Sequence, residues 1–216
     1  MKQPIIIPAQ HQHQSSVIWL HGLGADGYDF EPLIPSLVLS KHTRFILPHA
    51  PVRPITLNGG MPMPGWYDVA GLNAHDREDE PGVKQSADLI RTLIAQEHAA
   101  GIDYQKIFLV GFSQGGAMAL FTGLTYPEPL GGVIGLSTYM PIASVFADAR
   151  QPANQNTPIL MVHGTQDTVV EYAFGKKTQM SLRQQDYFVT WQDYPMAHEV
   201  CQPEIALISE WLGKRL

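Results

Sequence analysis

Ile107-Phe108-Leu109-Val110-Gly111-Phe112-Ser113-Gln114-Gly115-Gly116-Ala117-Met118-Ala119-Leu120-Phe121 reads as a strand, a sharp turn and a helix. The first four residues form a continuous apolar run, as expected of a parallel strand covered on both faces. Ser113 stands at the apex, with Gly111 and Gly115 two residues away on either side. So tight a turn leaves no room for flanking side chains, and a serine at its tip has the pattern of a nucleophile elbow. The same letters also fit a glycine-rich turn with a helix-capping serine. Residues elsewhere in the chain decide between the two.

Outward from this stretch, short apolar runs alternate with helical patterns. Val17 to Leu20, Phe45 to Leu47, Val133 to Leu136, Ile159 to Val162 and Tyr187 to Trp191 are the other strand candidates. Val83, Ala87, Ile90 and Ile94 recur at helical spacing, with Gly101 as a stop signal, and Glu204 to Leu216 reads as a closing helix begun after Pro203. The alternation predicts an α/β fold: a doubly wound, mostly parallel sheet with helices on both faces. Two segments break the rhythm. Residues 48–72 carry Pro48, Pro51, Pro54, Gly59, Gly60, Pro62, Pro64 and Gly65, too many breakers for a helix, and read as a long loop whose Met61, Met63, Trp66 and Tyr67 argue against disorder. The other runs from Ser137 to Thr157. No repeat or linker divides residues 1–216, which are expected to form a single domain with no large cap.

Composition narrows the class. A chain of 216 residues with a net charge of −6 has no basic stripe with which to neutralise phosphates, so no nucleic-acid partner is expected. Cys201 is the only cysteine, which rules out an intramolecular disulfide and points to a reducing compartment. The N-terminal Met1 to Pro8 is too short in apolar length for a signal peptide, and no run approaches the length of a membrane span. The expectation is a soluble, cytoplasmic protein.

A serine hydroxyl needs a base within hydrogen-bond reach, itself oriented by an acid. In hydrolases with a nucleophile elbow these follow in the order nucleophile, acid, histidine. Only His163 and His198 lie beyond Ser113. Asp167 directly follows the strand ending at Val162, and His198 lies between the last strand and the last helix, which makes them the expected acid and base. His163 precedes Asp167 and reads as structural, although a catalytic role stays open. Asp193, five residues before His198, is the rival acid.

A developing oxyanion needs two backbone N–H groups. Gln114, the residue after the nucleophile, supplies one. The glycine-rich His21-Gly22-Leu23-Gly24-Ala25-Asp26-Gly27, after Val17 to Leu20, offers the other at Leu23. Its spacing matches a dinucleotide loop, but no acidic residue ends a second strand about 20 residues on. His21 and His49 are placed to support this loop by hydrogen bonding. Nine histidines raise the question of metal. His11 and His13 sit among Gln10, Gln12 and Gln14 without a clustered carboxylate or cysteine, so no metal and no cofactor are expected.

With these residues assembled, the chain resembles the acyl-protein thioesterase/carboxylesterase family, also called the phospholipase/carboxylesterase family, of α/β-hydrolases. The segments that carry the resemblance are Leu20 to Gly24, Pro48 to Pro51, Asn58-Gly59-Gly60, Gly65 to Asp68, Gly111 to Gly116, Gly135-Leu136-Ser137, His163 to Asp167 and Ala197-His198. They run in family order over nearly the whole length. Met196 and Ala197 depart from the glycine that often precedes the family's histidine. The resemblance implies Ser113 as nucleophile, Asp167 as acid and His198 as base, with Leu23 and Gln114 at the oxyanion hole.

The resemblance also implies hydrolysis of small acyl esters or thioesters through an acyl-enzyme, with lysophospholipids and S-acylated proteins among the family's substrates. Residues 57–72 and Met140 to Phe146 are candidates for an acyl groove, with Leu23, Met63, Trp66, Met140 and Val145 as substrate contacts. Plain loop packing is the alternative for Met63 and Trp66, and the glycine and proline content would suit a mobile lid. An exposed apolar groove would also serve as a homodimer surface. A peptidase, a carbon–carbon bond hydrolase, or a non-catalytic protein that binds an apolar ligand are the competing readings.

Overall fold

The computed structural model describes residues 2–37, 39, 41–71 and 77–216. In chain order they form strands β1 (Ile5–Ile7), β2 (Ser15–Leu20), β3 (Thr43–Leu47), β4 (Val52–Ile55) and β5 (Met61–Pro64), then helix α1 (Glu80–Ala99). Strand β6 (Ile107–Phe112) leads into α2 (Gln114–Leu124), and β7 (Gly132–Leu136) is followed by α3 (Ala143–Ala149). Strand β8 (Ile159–Gly164), α4 (Tyr172–Gln184), β9 (Val189–Tyr194) and α5 (Gln202–Gly213) complete the chain.

Seven strands make one sheet in the order β1-β3-β2-β6-β7-β8-β9. Only β1 runs antiparallel, pairing with β3; every other neighbour is parallel. The order moves outward from β2 to β3 and then resumes on the other side of β2 with β6. The sheet therefore has its topological switch point between β2 and β6, where the carboxyl ends of neighbouring strands diverge into a crevice.

Strand alternation sorts the apolar residues into two layers. Ile18, Leu20, Leu109, Val133 and Met161 face α1, α2 and α4, and Val17, Trp19, Phe108, Ile134 and Leu160 face α5 and the segment around Phe30 and Ile34. α5 docks through Ile205, Ile208 and Leu212, at helical spacing, each buried and contributing about 1.5–3 kcal/mol. α2 is buried along its whole length, which explains its near-absence of polar residues.

Three expectations need correction. Residues 48–72 contain an antiparallel hairpin, β4 with β5, in which Pro54 pairs with Pro62. Proline is tolerated because the hairpin stands apart from the main sheet and both strands are edges. Gly59 and Gly60, at φ 64° and 78°, turn the chain between them. Residue 72 of that stretch lies outside the described residues. The last strand starts at Val189 rather than Tyr187, because Asp186 at φ 63° and the Tyr187 N–H bond to Leu182 O still belong to the end of α4. The closing helix ends at Gly213. Strand β1, only three residues long, gives too short a pattern to read.

Candidate active site

The turn between β6 and α2 holds Ser113 at φ 55°, ψ −122°, a backbone region that a residue with a side chain adopts only when its surroundings impose it. The surroundings do so through contacts on both sides. Ser113 N–H donates to Leu136 O (2.8 Å), and Ser113 O accepts from Ala117 N (3.0 Å) and from the Thr138 hydroxyl (2.7 Å). A Cβ on Gly115 would overlap the Leu20 carbonyl, and one on Gly111 would overlap Gly115 O. The glycines are thus required by the approach of α2 to the ends of β2 and β6, at the switch point of the sheet.

Ser113 Oγ lies 2.9 Å from His198 Nε2, and His198 Nδ1 lies 2.7 Å from Asp167 Oδ2. His198 sits on the loop between β9 and α5, with its ring against Phe112 at a centroid distance of 4.7 Å. Asp167 stands in the loop after β8. Its second oxygen, Oδ1, accepts from the N–H groups of Val169 and Val170, both at 2.9 Å. The Asp167 side chain is wholly buried, so its negative charge is held by three donors rather than by water. This arrangement leaves one edge of the His198 ring for Ser113.

The other acid and the other histidine are engaged elsewhere. Asp193 accepts from Tyr172 Oη (2.6 Å) and Trp191 Nε1 (3.2 Å), and the Tyr172 hydrogen bond, then that of Trp191, holds its carboxyl below the usual range. His163 is fully buried and stacked beside Trp191. Its Nε2–H donates to Val170 O (2.8 Å) and lies 3.5 Å from Asp167 Oδ2. Burial lowers its pKa and keeps it neutral. It tethers the loop that wraps Asp167.

The loop after β2 borders the same turn. A Cβ on Gly22 would come within 3.5 Å of Ser113 Cβ, and Gly24, at φ 78°, donates its N–H to Pro64 O (2.8 Å). His21 Nε2 accepts from Ala50 N–H (3.0 Å), so its proton is on Nδ1 and donates to Gly22 O (2.7 Å). His49 Nδ1 accepts from Gly27 N–H (3.1 Å). Burial lowers both histidines' pKa, keeping them neutral acceptors. On the other side, Gln114 is the first residue of α2, where a backbone N–H has no carbonyl four residues back. Its side chain bridges the long hairpin segment, accepting from Trp66 N–H (2.8 Å) and donating to Tyr67 O (2.7 Å).

A cavity of about 240 Å³ is lined by Tyr67, Val69, Tyr139, Met140, Phe146 and Val170 among others, and Ser113, Asp167 and His198 are not in its lining. Two of its wall segments are tied to the site by hydrogen bonds: Thr138, which precedes Tyr139, donates to Ser113 O, and Val170 N–H donates to Asp167. Of the expected substrate contacts, Met140 lines this cavity. Trp66 does not: it is fully buried, its indole N–H donating to His21 O (2.9 Å), and so it supports the Gly22 loop from behind rather than offering a groove wall. Val145 packs half-buried against the core. Met63 and Leu23 lie near the β2 loop, Met63 Sδ 3.7 Å from where a Gly24 Cβ would be and Leu23 3.0 Å from a Cβ on Gly65. Thr138, Val170 and Tyr139 went unread in the sequence because their approach to Ser113 and Asp167 depends on parallel strands pairing side by side.

Known proteins are similar to this chain over nearly its whole length. Over 99% of this chain and 95% of the relative, it is 39% identical to an acyl-protein thioesterase 1 from Gibberella zeae. The crystal structure of Arabidopsis thaliana SOBER1 superposes with a TM-score of 0.89 at 31% identity, covering 94% of this chain and 99% of that one. Zea mays acyl-protein thioesterase 2 gives 0.88 at 27% identity, covering 99% and 98%. A family model described as phospholipase/carboxylesterase matches residues 1–216. With the fold, its switch-point serine turn and this full-length match together, the chain belongs to the phospholipase/carboxylesterase family of α/β-hydrolases.

Proposed function

We propose that the protein is a serine hydrolase that cleaves carboxylic ester or thioester bonds through an acyl-enzyme on Ser113. The observation that carries this reading is the continuous line from Asp167 Oδ2 through His198 to Ser113 Oγ, with contacts of 2.7 and 2.9 Å. In the first step His198 Nε2 takes the Ser113 proton as Oγ attacks the acyl carbonyl. The resulting oxyanion is met by the N–H groups of Leu23 and Gln114. His198, now doubly protonated and steadied by Asp167, gives the proton to the departing alcohol or thiol. Water activated by the same imidazole then releases the acid and restores Ser113.

The acyl chain occupies the cavity walled by Val69, Met140, Phe146 and Val170. At about 240 Å³ it is smaller than the roughly 300–1,000 Å³ that encloses a drug-sized ligand, and it suits short- to medium-chain acyl groups. The names of the Gibberella zeae and Zea mays relatives favour S-acylated protein as a natural substrate, with lysophospholipid as the lipid counterpart. Among the described residues no helix is long and apolar enough to cross a membrane. With the lone Cys201 free, the reading is of an enzyme working in the reducing cytoplasm.

A panel of p-nitrophenyl esters and acyl-thioesters of graded length tests the proposal. Ser113→Ala is expected to lower kcat by about 10⁶. Unchanged turnover in the purified variant would end it.

A further inference from the structure

The cavity lined by Met140 and Phe146 carries a pair of phenols that ester cleavage does not use. Tyr67 Oη and Tyr139 Oη lie 3.0 Å apart, on two segments separated by 72 residues. Each is anchored to the serine turn. Gln114 Nε2 donates to Tyr67 O, and Thr138, adjoining Tyr139, donates to Ser113 O. Buried side chains thus tie both tyrosine-bearing segments to the Ser113 turn.

Two phenols hold two O–H protons, and their mutual contact uses one. Either hydroxyl can donate in this contact; Tyr67 is almost fully buried and Tyr139 half-buried at the cavity wall, so Tyr139 is the one placed to offer a proton to a ligand while accepting from Tyr67. Among the described residues neither hydroxyl has another acceptor. Glu78 shares the wall, but it is solvent-exposed and its Oε1 accepts the Ile142 N–H at 2.7 Å. Burial, first, and the neighbouring phenol and carboxylate raise the pKa of Tyr67; burial also raises that of Tyr139. Both remain donors throughout the working pH range. Val83, Met140, Phe146 and Leu182 supply apolar lining, and Asp68, Arg77, Asp79 and Lys177 supply charged lining, of the same cavity. A ligand oxygen in this cavity would find the Tyr139 hydroxyl placed to donate to it.

We infer, on the reading of Ser113 as nucleophile, that Tyr139 is a specificity-determining residue: its spare hydroxyl donates to an oxygen on the acyl chain and selects hydroxy-, oxo- or ether-substituted acyl groups over plain alkyl ones. Tyr67 is the positioning partner that holds the Tyr139 ring. A wholly apolar tunnel would show no such preference.

The test compares p-nitrophenyl alkyl esters with isosteric esters in which one methylene, at successive chain positions, is replaced by an ether oxygen. The ratio of kcat/KM for oxygen-bearing over alkyl ester is measured in the wild-type protein and in Tyr139→Phe. Intrinsic ester reactivity and loss of folded protein both cancel, because each ratio is taken within one preparation and compared between proteins. The expected result is a fall of about three- to tenfold in the ratio at one oxygen position, the worth of one neutral hydrogen bond. A ratio unchanged in Tyr139→Phe at every position overturns this inference and leaves the esterase reading intact. Failure of the wild-type protein to hydrolyse any ester of the panel overturns both.

Discussion

Asp167 and His198 meet at 2.7 Å across 31 residues of chain, and the carboxylate is completely buried at that contact. The three donors around Asp167, from His198, Val169 and Val170, orient the imidazole so that its Nδ1 carries the proton and its Nε2 is free to accept from Ser113.

Asp167→Asn keeps the shape and removes the charge. An amide in this place can present its NH₂ to Nδ1 and trap the wrong tautomer, so kcat is expected to fall by about 10⁴ while the fold is retained. Burst kinetics with a p-nitrophenyl ester measure it; a loss below tenfold would show that another acid serves His198.

Val69→Phe reads the cavity. The larger ring would narrow a space of about 240 Å³, so kcat/KM should drop for the longer acyl esters and hold for acetate. An equal effect at every chain length would place the acyl chain elsewhere.

Trp66→Ala should behave differently. The indole is fully buried behind the Gly22 loop, and its truncation is expected to cost about 3–5 kcal/mol in urea unfolding. Activity per folded molecule would fall for all chain lengths alike. A change confined to long acyl esters would return Trp66 to the groove.

Glu204 makes stability depend on pH. The side chain is fully buried on α5, and burial raises its carboxyl pKa to about 8. Because the folded value lies above the unfolded one, the folded state holds the proton more tightly. Its stabilising contribution is complete at pH below about 4.5 and is lost progressively as pH rises towards 8. Glu204→Gln keeps an acceptor for the Cys201 N–H and removes the titration. Its stability should decline less than that of the wild-type protein between pH 5 and 8, as urea midpoints would record; parallel declines would refute the assignment.

Much of this site could be read in one dimension. The elbow at Ser113 is local, since the clash of a Cβ on Gly111 with Gly115 O arises within the turn itself. The order of Asp167 and His198 behind it follows from each lying after a strand. Residues 48–72 were harder: their prolines hide a hairpin because the usual strand signal presumes a central strand. Trp66 was hard to place for a similar reason. An aromatic residue in a glycine- and proline-rich segment carries no mark of whether it faces solvent, ligand or core.

Periodicity and residue order thus specify the α/β class and single out Ser113, Asp167 and His198, because those depend on contacts within a few residues and on the succession of strands. Three-dimensional packing specifies the rest. It selects Asp167 over Asp193 by turning one carboxylate towards His198 and giving the other to Tyr172 and Trp191. It also brings Tyr67 to Tyr139 and closes a cavity from α1, α3 and α4. Those outcomes rest on the directions of side chains far apart in sequence, which only the paired sheet and its packed helices set.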